Sequence, residues 1–198
     1  NIPLDEANKV VTGPLIKSAI PLAYGDNYNG YRIVGTTPAY IAHYNGEIVQ
    51  GKIFSHEMEV VIGSEVAHKY ALRIGHNIVG AHGLTDSHDM HTNAPYIVVG
   101  ILKPTGRVID RLVLTPVESI WHVHEMPEEE EHAHEHEEEE HIEGREITAF
   151  LLSYKSPMAA VQLPRLINQS GSMQAASPAF EMARLNKLMG TGGDILAA

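Results

Sequence analysis

The stretch from Trp121 to Glu143, WHVHEMPEEEEHAHEHEEEEHIE, restricts how this chain can fold more than any other part of the sequence. Between His122 and His141 it holds ten glutamates and six of the chain's 13 histidines, with no lysine or arginine. Such a run repels itself and carries too little apolar surface to form a core. We therefore expect a mobile loop over residues 126–141, with the core built from the sequence on either side of it.

Outside this stretch the chain is close to neutral. The formal net charge is −11, and removing the ten glutamates leaves 15 acidic residues against 14 basic ones. A chain without a basic stripe is not expected to bind nucleic acid. The absence of cysteine excludes disulfides and thiolate metal ligands. The sequence also has no apolar run of the roughly eighteen residues that a membrane-spanning helix needs.

Threonine or serine precedes proline at four expected helix starts, where the hydroxyl is expected to cap free amides. Glu118, three residues after Thr115, completes a capping box in the second of them. Ser64 is the expected cap of another short helix, SEVAHKYAL. Pro164 is expected to kink or split the third helix, and the last helix is expected to end at Gly190. The four pairs are Thr37-Pro38, Thr115-Pro116, Ser156-Pro157 and Ser177-Pro178.

Short runs rich in β-branched residues, separated by Gly, Pro, Asn and Asp, predict the strands. These runs read YRIVGT, EVVIG, PYIVVGIL, VIDRLVLT and EITAFLLS. Helices gather near both chain ends and strands lie between them. This pattern predicts an α+β fold.

The capping box predicts a helix over the two histidines at the start of the His/Glu stretch, and this affects whether they could bind a metal together. On a strand, His122 and His124 would share a face and could form a chelating pair. On a helix, side chains two residues apart point about 200° apart. Val117, Ile120, Trp121 and His124 would then form an apolar stripe, with His122 facing away. We therefore interpret His124 as a hydrogen-bonded core histidine rather than a metal ligand.

Several stretches together resemble the periplasmic core domain of MacB-like (FtsX-like) ABC transporter permeases. They run in the family's order and cover most of residues 20–190, and that order makes the resemblance specific. The His/Glu stretch at 126–141 departs from the general family pattern. The matching pieces read GDNYNGYRIVGTTPAYIAHY, VVIGSEVAHKYALRIGHNIVGAHG, HTNAPYIVVGILKPTGRVIDRLVLTPVESIWHVHE, ITAFLLSYKSPMAAVQLPRLIN and AASPAFEMARLNKLMG.

The resemblance implies a porter-like α/β subdomain built from both chain ends, at 1–52 and 146–198, with a mostly β, sabre-like insertion at 53–145. It also implies a non-catalytic domain on the periplasmic face of the bacterial inner membrane. Such a domain lies between two transmembrane helices of its permease, and a separate ABC ATPase subunit drives it. Its role would be to couple the ATPase motion to a periplasmic substrate or partner protein.

The His/Glu stretch is a candidate metal site, because histidine-rich tracts commonly bind metals. Its carboxylates would attract a dication and raise the pKa values of the histidines. The alternative is a solvated acidic loop that only titrates near neutrality. The predicted ligands for a weakly bound zinc ion are His132, His134, His136 and His141.

The segment AHGLTDSHDMH is a second candidate, since imidazoles and carboxylates at such spacings suit zinc. The simpler interpretation is a surface loop whose Asp, Ser and Gly residues make turns. Its candidate ligands are His82, His88 and His91, with Asp86 and Asp89 beside them.

Three functions therefore stay open at this stage. The first is the non-enzymatic permease domain, which requires no cofactor and could serve zinc or metal transport. The second is a zinc-binding or metal-sensing periplasmic module, and the third is a zinc hydrolase built on the second segment. Nucleotide binding is not expected, because the glycine cluster at Gly190 lacks a Walker lysine. A serine hydrolase is not expected either, because no serine stands in a GxSxG setting.

Overall fold

The structure is a computed structural model that describes residues 2–81, 95–125, 145–170 and 173–196. Helices and strands both contribute strongly, so the predicted α+β class is confirmed. The strands are β1 (Ile2–Pro3), β2 (Ile16–Tyr28), β3 (Tyr31–Thr36), β4 (Ile48–Gly51), β5 (Glu59–Ile62), β6 (Asn77–Ile78), β7 (Tyr96–Leu102), β8 (Val113–Pro116), β9 (Glu146–Ile147) and β10 (Ala149–Tyr154). The α-helices are α1 (Leu4–Val11), α2 (Pro38–His43), α3 (Ser64–Lys69), α4 (Val117–Glu125), α5 (Pro157–Ser170) and α6 (Pro178–Leu196), and a 3-10 helix spans Val108–Arg111. Within the described ranges, no helix is both long and apolar enough to cross a membrane.

The chain divides into two compact units. The sheet unit consists of residues 20–151 together with Pro3, and the terminal unit consists of Ile2, residues 4–19 and residues 152–198. The division cuts through β2 and β10. The porter-like and sabre-like boundaries expected after residues 52 and 145 stay a prediction.

The main sheet has the order β10-β2-β3-β8-β5-β7-β4, with β6 beside β7. β3 runs parallel to β8 and β5 runs parallel to β7, while β5 and β8 are antiparallel. Leu114 of β8 pairs with Val34 on one side and with Val61 on the other. The sheet is therefore mixed, and β8 lies in its middle.

The central strands bury side chains on both faces. On one face Ile33, Ile62 and Val113 pack with residues of α3 and α4. On the other face Val34, Val61 and Leu114 pack with residues of α2 and the 3-10 helix. A strand covered on both sides reads as a continuous apolar run, which is why YRIVGT and EVVIG are recognisable in the sequence.

The terminal unit has a smaller core. Ile16 of β2 packs against Leu163 and Ile167 of α5, all three being buried. The outer side chains of α5 and α6 are exposed instead. They are Met158, Val161, Leu166, Phe180, Met182 and Leu185.

The structure corrects three capping predictions and confirms one. Thr115 lies in β8 rather than at a cap, because its hydroxyl bonds to the Glu59 carbonyl. Ser64 is the first residue of α3, whose N-cap is Gly63. Thr37 is the N-cap of α2 but its side chain makes no capping bond. At α5 the Ser156 Oγ does accept a hydrogen bond from the Ala159 amide, at 3.2 Å.

Several element boundaries also differ from the sequence prediction. The run VIDRLVLT begins as the 3-10 helix rather than as a strand, because Asp110 accepts hydrogen bonds from the amides of Thr105 and Gly106 just before it. Pro164 lies inside α5 without splitting it. The last helix, α6, continues past Gly190 to Leu196, although Gly190, Gly192 and Gly193 each weaken a helix by about 1 kcal/mol. Strands β1, β2, β4 and β6 and helix α1 were not predicted.

Candidate functional site

The predicted zinc ligands lie outside the described residues. They are His82, His88 and His91 in one gap, and His132, His134, His136 and His141 in the other. Among the residues that the structure does describe, no group of three or more His, Asp or Glu side chains could hold a metal ion. The metal sites therefore stay predictions. The structure does show how both histidine-rich segments are attached to the fold.

A clamp around Trp121 joins the two ends of the His/Glu segment. The Trp121 indole N–H donates to the carbonyl oxygen of Glu146 at 2.9 Å, and the Arg145 guanidinium lies 5.3 Å from the indole centroid. Along the axis of α4, Trp121 lies only about 6 Å from Glu125, which is the last described residue before the segment. The segment therefore leaves the sheet unit and returns to it at nearly the same place. We call Trp121, Arg145 and Glu146 the Trp121 clamp.

The buried face of α4 is formed by Val117, Ile120 and Val123, and Trp121 is partly buried beside them. The predicted stripe thus missed Val123, and the side chain of His124 is outside the described part. His122 faces away from the core as predicted, with its side chain 50% exposed and its Nδ1 3.9 Å from Glu57 Oε2.

Close packing of α4 on the sheet depends on glycine. A Cβ added at Gly25 of β2 or at Gly35 of β3 would stand 2.6 or 2.5 Å from side-chain carbons of Ile120. Real side chains do not approach so closely. These two glycines therefore bring α4, and with it the start of the His/Glu segment, against β2 and β3.

A buried polar chain lies beneath the first turn of α4. The Met58 amide donates to Ser119 Oγ at 2.9 Å, and the Ser119 and Thr115 hydroxyl oxygens are 2.9 Å apart. Thr115 Oγ1 donates to the Glu59 carbonyl oxygen at 2.9 Å. Thr115 and Ser119 are fully buried. Their hydrogen bonds therefore fix the end of the loop over residues 52–58, and the start of β5, against α4, as buried polar groups need partners.

The Glu59 carboxylate organises the same loop from the other side. It accepts hydrogen bonds from Lys52 Nζ at 2.8 Å, from the Ser55 amide at 2.7 Å and from the His56 amide at 3.1 Å. The hydrogen bond from Lys52 and the two amide donors outweigh desolvation and lower the pKa of Glu59 to about 2. Glu59 is thus a structural anion rather than a general acid or base for chemistry near neutral pH.

The segment of residues 82–94 is anchored on β2 as well. The Asn27 side-chain amide donates to the Ala81 carbonyl at 3.0 Å, and the Ala81 amide donates to the Asn27 carbonyl at 2.9 Å. At the far side of the segment, Tyr96 of β7 pairs with Ile78 of β6. Asn27 lies two residues from Gly25, so one strand carries contacts at the bases of both histidine-rich segments.

A cluster of three tyrosines was not predicted from the sequence. Tyr70 packs edge-to-face against Tyr28 and Tyr31, with ring centroids 5.3 and 5.9 Å away. The Tyr70 hydroxyl donates to the Asn29 carbonyl in the β2–β3 turn, at 3.1 Å. The Asn29-Gly30 pair signals this hairpin in the sequence, but no local signal links it to Tyr70.

Charged side chains surround these rings. The Lys69 ammonium lies 4.9 Å from the centroid of Tyr31 and 5.4 Å from that of Tyr70. Arg111 contacts the Tyr31 ring at 5.9 Å, and its Nε lies 3.2 Å from Glu65 Oε1. We call Tyr28, Tyr31, Tyr70, Lys69, Arg111 and Glu65 the tyrosine–lysine cluster.

A small polar surface cavity of about 200 Å³ lies elsewhere on the sheet unit. Its charged groups have partners within its own wall. Lys103 Nζ lies 3.3 Å from Glu47 Oε2, and Arg107 donates to the Tyr44 carbonyl at 3.4 Å. The charged side chains of this cavity therefore contact one another or the backbone of its wall.

Comparison with known proteins decides the family. The description "MacB-like periplasmic core domain" belongs to a family model that matches residues 1–164. This chain belongs to that family. The resemblance found in the sequence is thereby confirmed, and the chain is a periplasmic-type domain of MacB-like ABC transporter permeases.

Two solved structures share the fold. The periplasmic region of MacB from Actinobacillus actinomycetemcomitans is 14% identical, with a TM-score of 0.60 over 94% of this chain and 84% of that one. The extracellular domain of the noncanonic ABC-type transporter YknZ from Gram-positive bacteria is 13% identical, with a TM-score of 0.56 over 86% of this chain and 85% of that one. A search of curated proteins gave no significant match.

Proposed function

We propose that this chain is the non-catalytic extracytoplasmic domain of an ABC transporter permease, on the periplasmic face of the bacterial inner membrane. It couples conformational change, driven by a separate ABC ATPase subunit, to a periplasmic substrate or partner protein. The observation that carries the proposal is the family match over residues 1–164. The fold shared with the MacB periplasmic region supports it.

The division of the chain gives this coupling a physical route. Most residues near both chain ends belong to the terminal unit, while the sheet unit is formed by residues 20–151 together with Pro3. In the proposed permease, flanking transmembrane helices act on the terminal unit first. Motion then reaches the sheet unit through β2 and β10, the two strands that the division cuts.

Reconstitution of the permease with its ATPase tests the proposal. In the test variant a Gly/Ser linker replaces residues 20–151, joining β2 to β10, which are neighbours in the sheet. We expect basal ATP hydrolysis to continue while transport, and any stimulation of hydrolysis by the transported substrate, is lost. The matched control replaces only residues 127–143 and keeps the sheet unit. Transport that survives loss of the whole sheet unit would contradict the proposal.

We further propose that the histidine-rich segments bind zinc weakly, as a module for delivering, sensing or transporting the metal. Composition is the main support, since His132, His134, His136 and His141 stand among glutamates. The Trp121 clamp adds support, because its closed base lowers the entropy lost when ligands from one segment gather. Affinity should fall below about pH 6, where protons compete for the imidazoles.

Calorimetric titration with zinc separates the alternatives. The intact chain is compared with a variant in which a Gly/Ser linker replaces 127–141, and with a His82→Gln, His88→Gln, His91→Gln triple variant. Loss of binding only in the first variant supports the His/Glu segment as the site. Loss of zinc binding only in the triple variant assigns the metal to the 82–94 segment and makes assays for zinc-dependent hydrolysis worthwhile. If the intact chain does not bind zinc, the metal proposal is wrong and the permease proposal is unaffected.

A further inference from the structure

We propose that the tyrosine–lysine cluster is a docking surface for an acidic segment of a partner protein. All six of its residues belong to the sheet unit. The inference rests on the proposed coupling function and extends it, because it specifies the chemistry of the partner on which the sheet unit acts. Charge, ring geometry and exposure carry the inference.

Lys69 is a positioned cation with no acidic partner among the described residues. Within the described part of the chain, no carboxylate lies within 4.0 Å of its ammonium, whereas Lys52 is paired with Glu59 and Lys103 with Glu47. The Tyr31 and Tyr70 rings hold the ammonium instead, at 4.9 and 5.4 Å from their centroids. The electrostatic interaction with Tyr31, and then with Tyr70, raises the pKa of Lys69 further above its ordinary value of 10.5, and the side chain is charged at neutral pH.

The cluster keeps a positive excess after its internal pairs are formed. Its single carboxylate, Glu65, accepts a hydrogen bond from the Tyr31 hydroxyl at 2.9 Å and pairs with Arg111 at 3.2 Å. The cluster therefore has two cations and one carboxylate, and that carboxylate is paired with Arg111 rather than with Lys69. An incoming carboxylate would meet Lys69 without displacing any carboxylate of the described residues.

The tyrosine rings of the cluster are already held in place in the chain without a partner. Tyr31 is only 6% exposed, and Tyr70 is fixed through its hydroxyl to Asn29 in the turn. Asn29 and Gly30 have φ values of 49° and 82°, as a tight hairpin turn of this kind requires. Rigid tyrosines beside basic side chains are typical of binding hot spots, since little side-chain entropy is lost on contact.

The energetics favour a protein segment over a small free carboxylate. An exposed ion pair alone contributes about 0–1 kcal/mol, because water screens it. Lys69 is exposed, so a free carboxylate would gain little there. A segment that also covers the exposed parts of Tyr28 and Tyr70 adds apolar burial and strengthens the ion pair by excluding water.

The test uses the whole chain, ¹⁵N-labelled, and a blocked pentapeptide in which glutamates flank a central tyrosine. We expect saturable amide shifts centred on Tyr31, Lys69, Tyr70 and Arg111. Lys69→Gln should raise the Kd roughly three- to tenfold, and Lys69→Arg should restore most of the affinity. Lys17→Gln is the matched control, because it removes the same charge from an exposed lysine of β2 and should leave the Kd unchanged.

Three results would overturn the proposal. One is the absence of shifts at the cluster. Another is an equal loss of affinity in the Lys69→Gln and Lys17→Gln variants, which would show general charge attraction. The third is free glutamate binding as tightly as the peptide, which would indicate a small-carboxylate site. None of these results tests the coupling function. That function is tested separately, by transport in the reconstituted permease.

Discussion

The sheet unit and the terminal unit bury their apolar residues to different extents. In the sheet unit, adjacent residues such as Ile33 and Val34 are both at most 3% exposed, because each face of the strand is covered. In the terminal unit, α5 buries Leu163 but leaves Leu166 55% exposed, and Phe180 of α6 is 73% exposed. On a strand that is covered on both faces, every side chain contributes to the core. A helix that is covered on one face tolerates substitutions on its outer face. Stability should therefore be concentrated in the sheet unit.

Two leucines test that comparison most directly. Leu114→Ala, at a fully buried position of β8, should destabilise by about 2–5 kcal/mol, since it removes apolar contacts and leaves a cavity. Leu166→Ala, the same change on the exposed face of α5, should cost less than about 0.5 kcal/mol. Urea denaturation is followed by fluorescence of Trp121, the only tryptophan, which reports on the sheet unit, and by far-UV circular dichroism, which also reports on the helices of the terminal unit. Similar losses in both variants would show that the two units do not differ in this way.

The buried polar chain extends the comparison from apolar to polar contacts. Thr115→Ala should destabilise by about 2–3 kcal/mol, because it leaves Ser119 Oγ and the Glu59 carbonyl with one partner fewer in a buried site. Thr115→Ser keeps the hydroxyl and should cost about half as much. The same denaturation assay measures both. Equal losses would mean that the methyl group, not the hydrogen bonds, matters at this position.

Glu59 makes the stability of the sheet unit depend on pH. Its pKa of about 2 lies below the ordinary value of 4.5, so its stabilising contribution is complete above pH 4.5 and is lost as the pH falls toward 2. Allowing for the exposure of Lys52, we expect this contribution to be about 1–2 kcal/mol. The Glu59→Gln variant should be less stable than the unsubstituted protein near pH 7. Its free energy of unfolding should also decrease less between pH 4.5 and 2. Parallel pH profiles for the two proteins would contradict this.

The smallest expected effect concerns the Trp121 clamp. Trp121→Phe keeps an aromatic ring but removes the hydrogen bond to Glu146, at a cost of about 1 kcal/mol. We expect faster amide exchange at Ile147 and Thr148, next to the clamp, with exchange at Leu163 in the terminal unit unchanged. Unchanged exchange at Ile147 would show that the indole N–H does not hold this part of the chain.

Secondary-structure elements could be predicted from the sequence where neighbouring residues determine them. β3 is found at Tyr31–Thr36 as expected, because its run of apolar and β-branched residues is a local signal. β2 contains Pro21, Gly25, Asp26 and Asn27, which are typical of turns, and it is extended because it pairs with β3 over several positions. The capping box failed for the same kind of reason, since Thr115 bonds to Glu59, a residue distant in sequence.

The candidate sites show the same limit. Composition identified the two histidine-rich segments, because ligand type and charge are visible in the sequence. The tyrosine–lysine cluster could not be found that way, since Tyr31 and Tyr70 are brought together by the packing of α3 against the hairpin. Residue type alone does not distinguish Lys69 from the paired lysines. Only the contacts of each side chain do.

The Trp121 clamp also determines how freely the His/Glu segment can change in length. Folded structure already holds the two ends of the segment together, so residues added between those ends do not need to pull them apart. For a flexible loop, each doubling of length costs only about 0.6 kcal/mol in closure entropy. Insertions and deletions of histidine and glutamate codons at this position should therefore be nearly neutral for folding. The number of metal-binding or charged groups that this domain carries could then drift or be selected while the sheet unit stays the same.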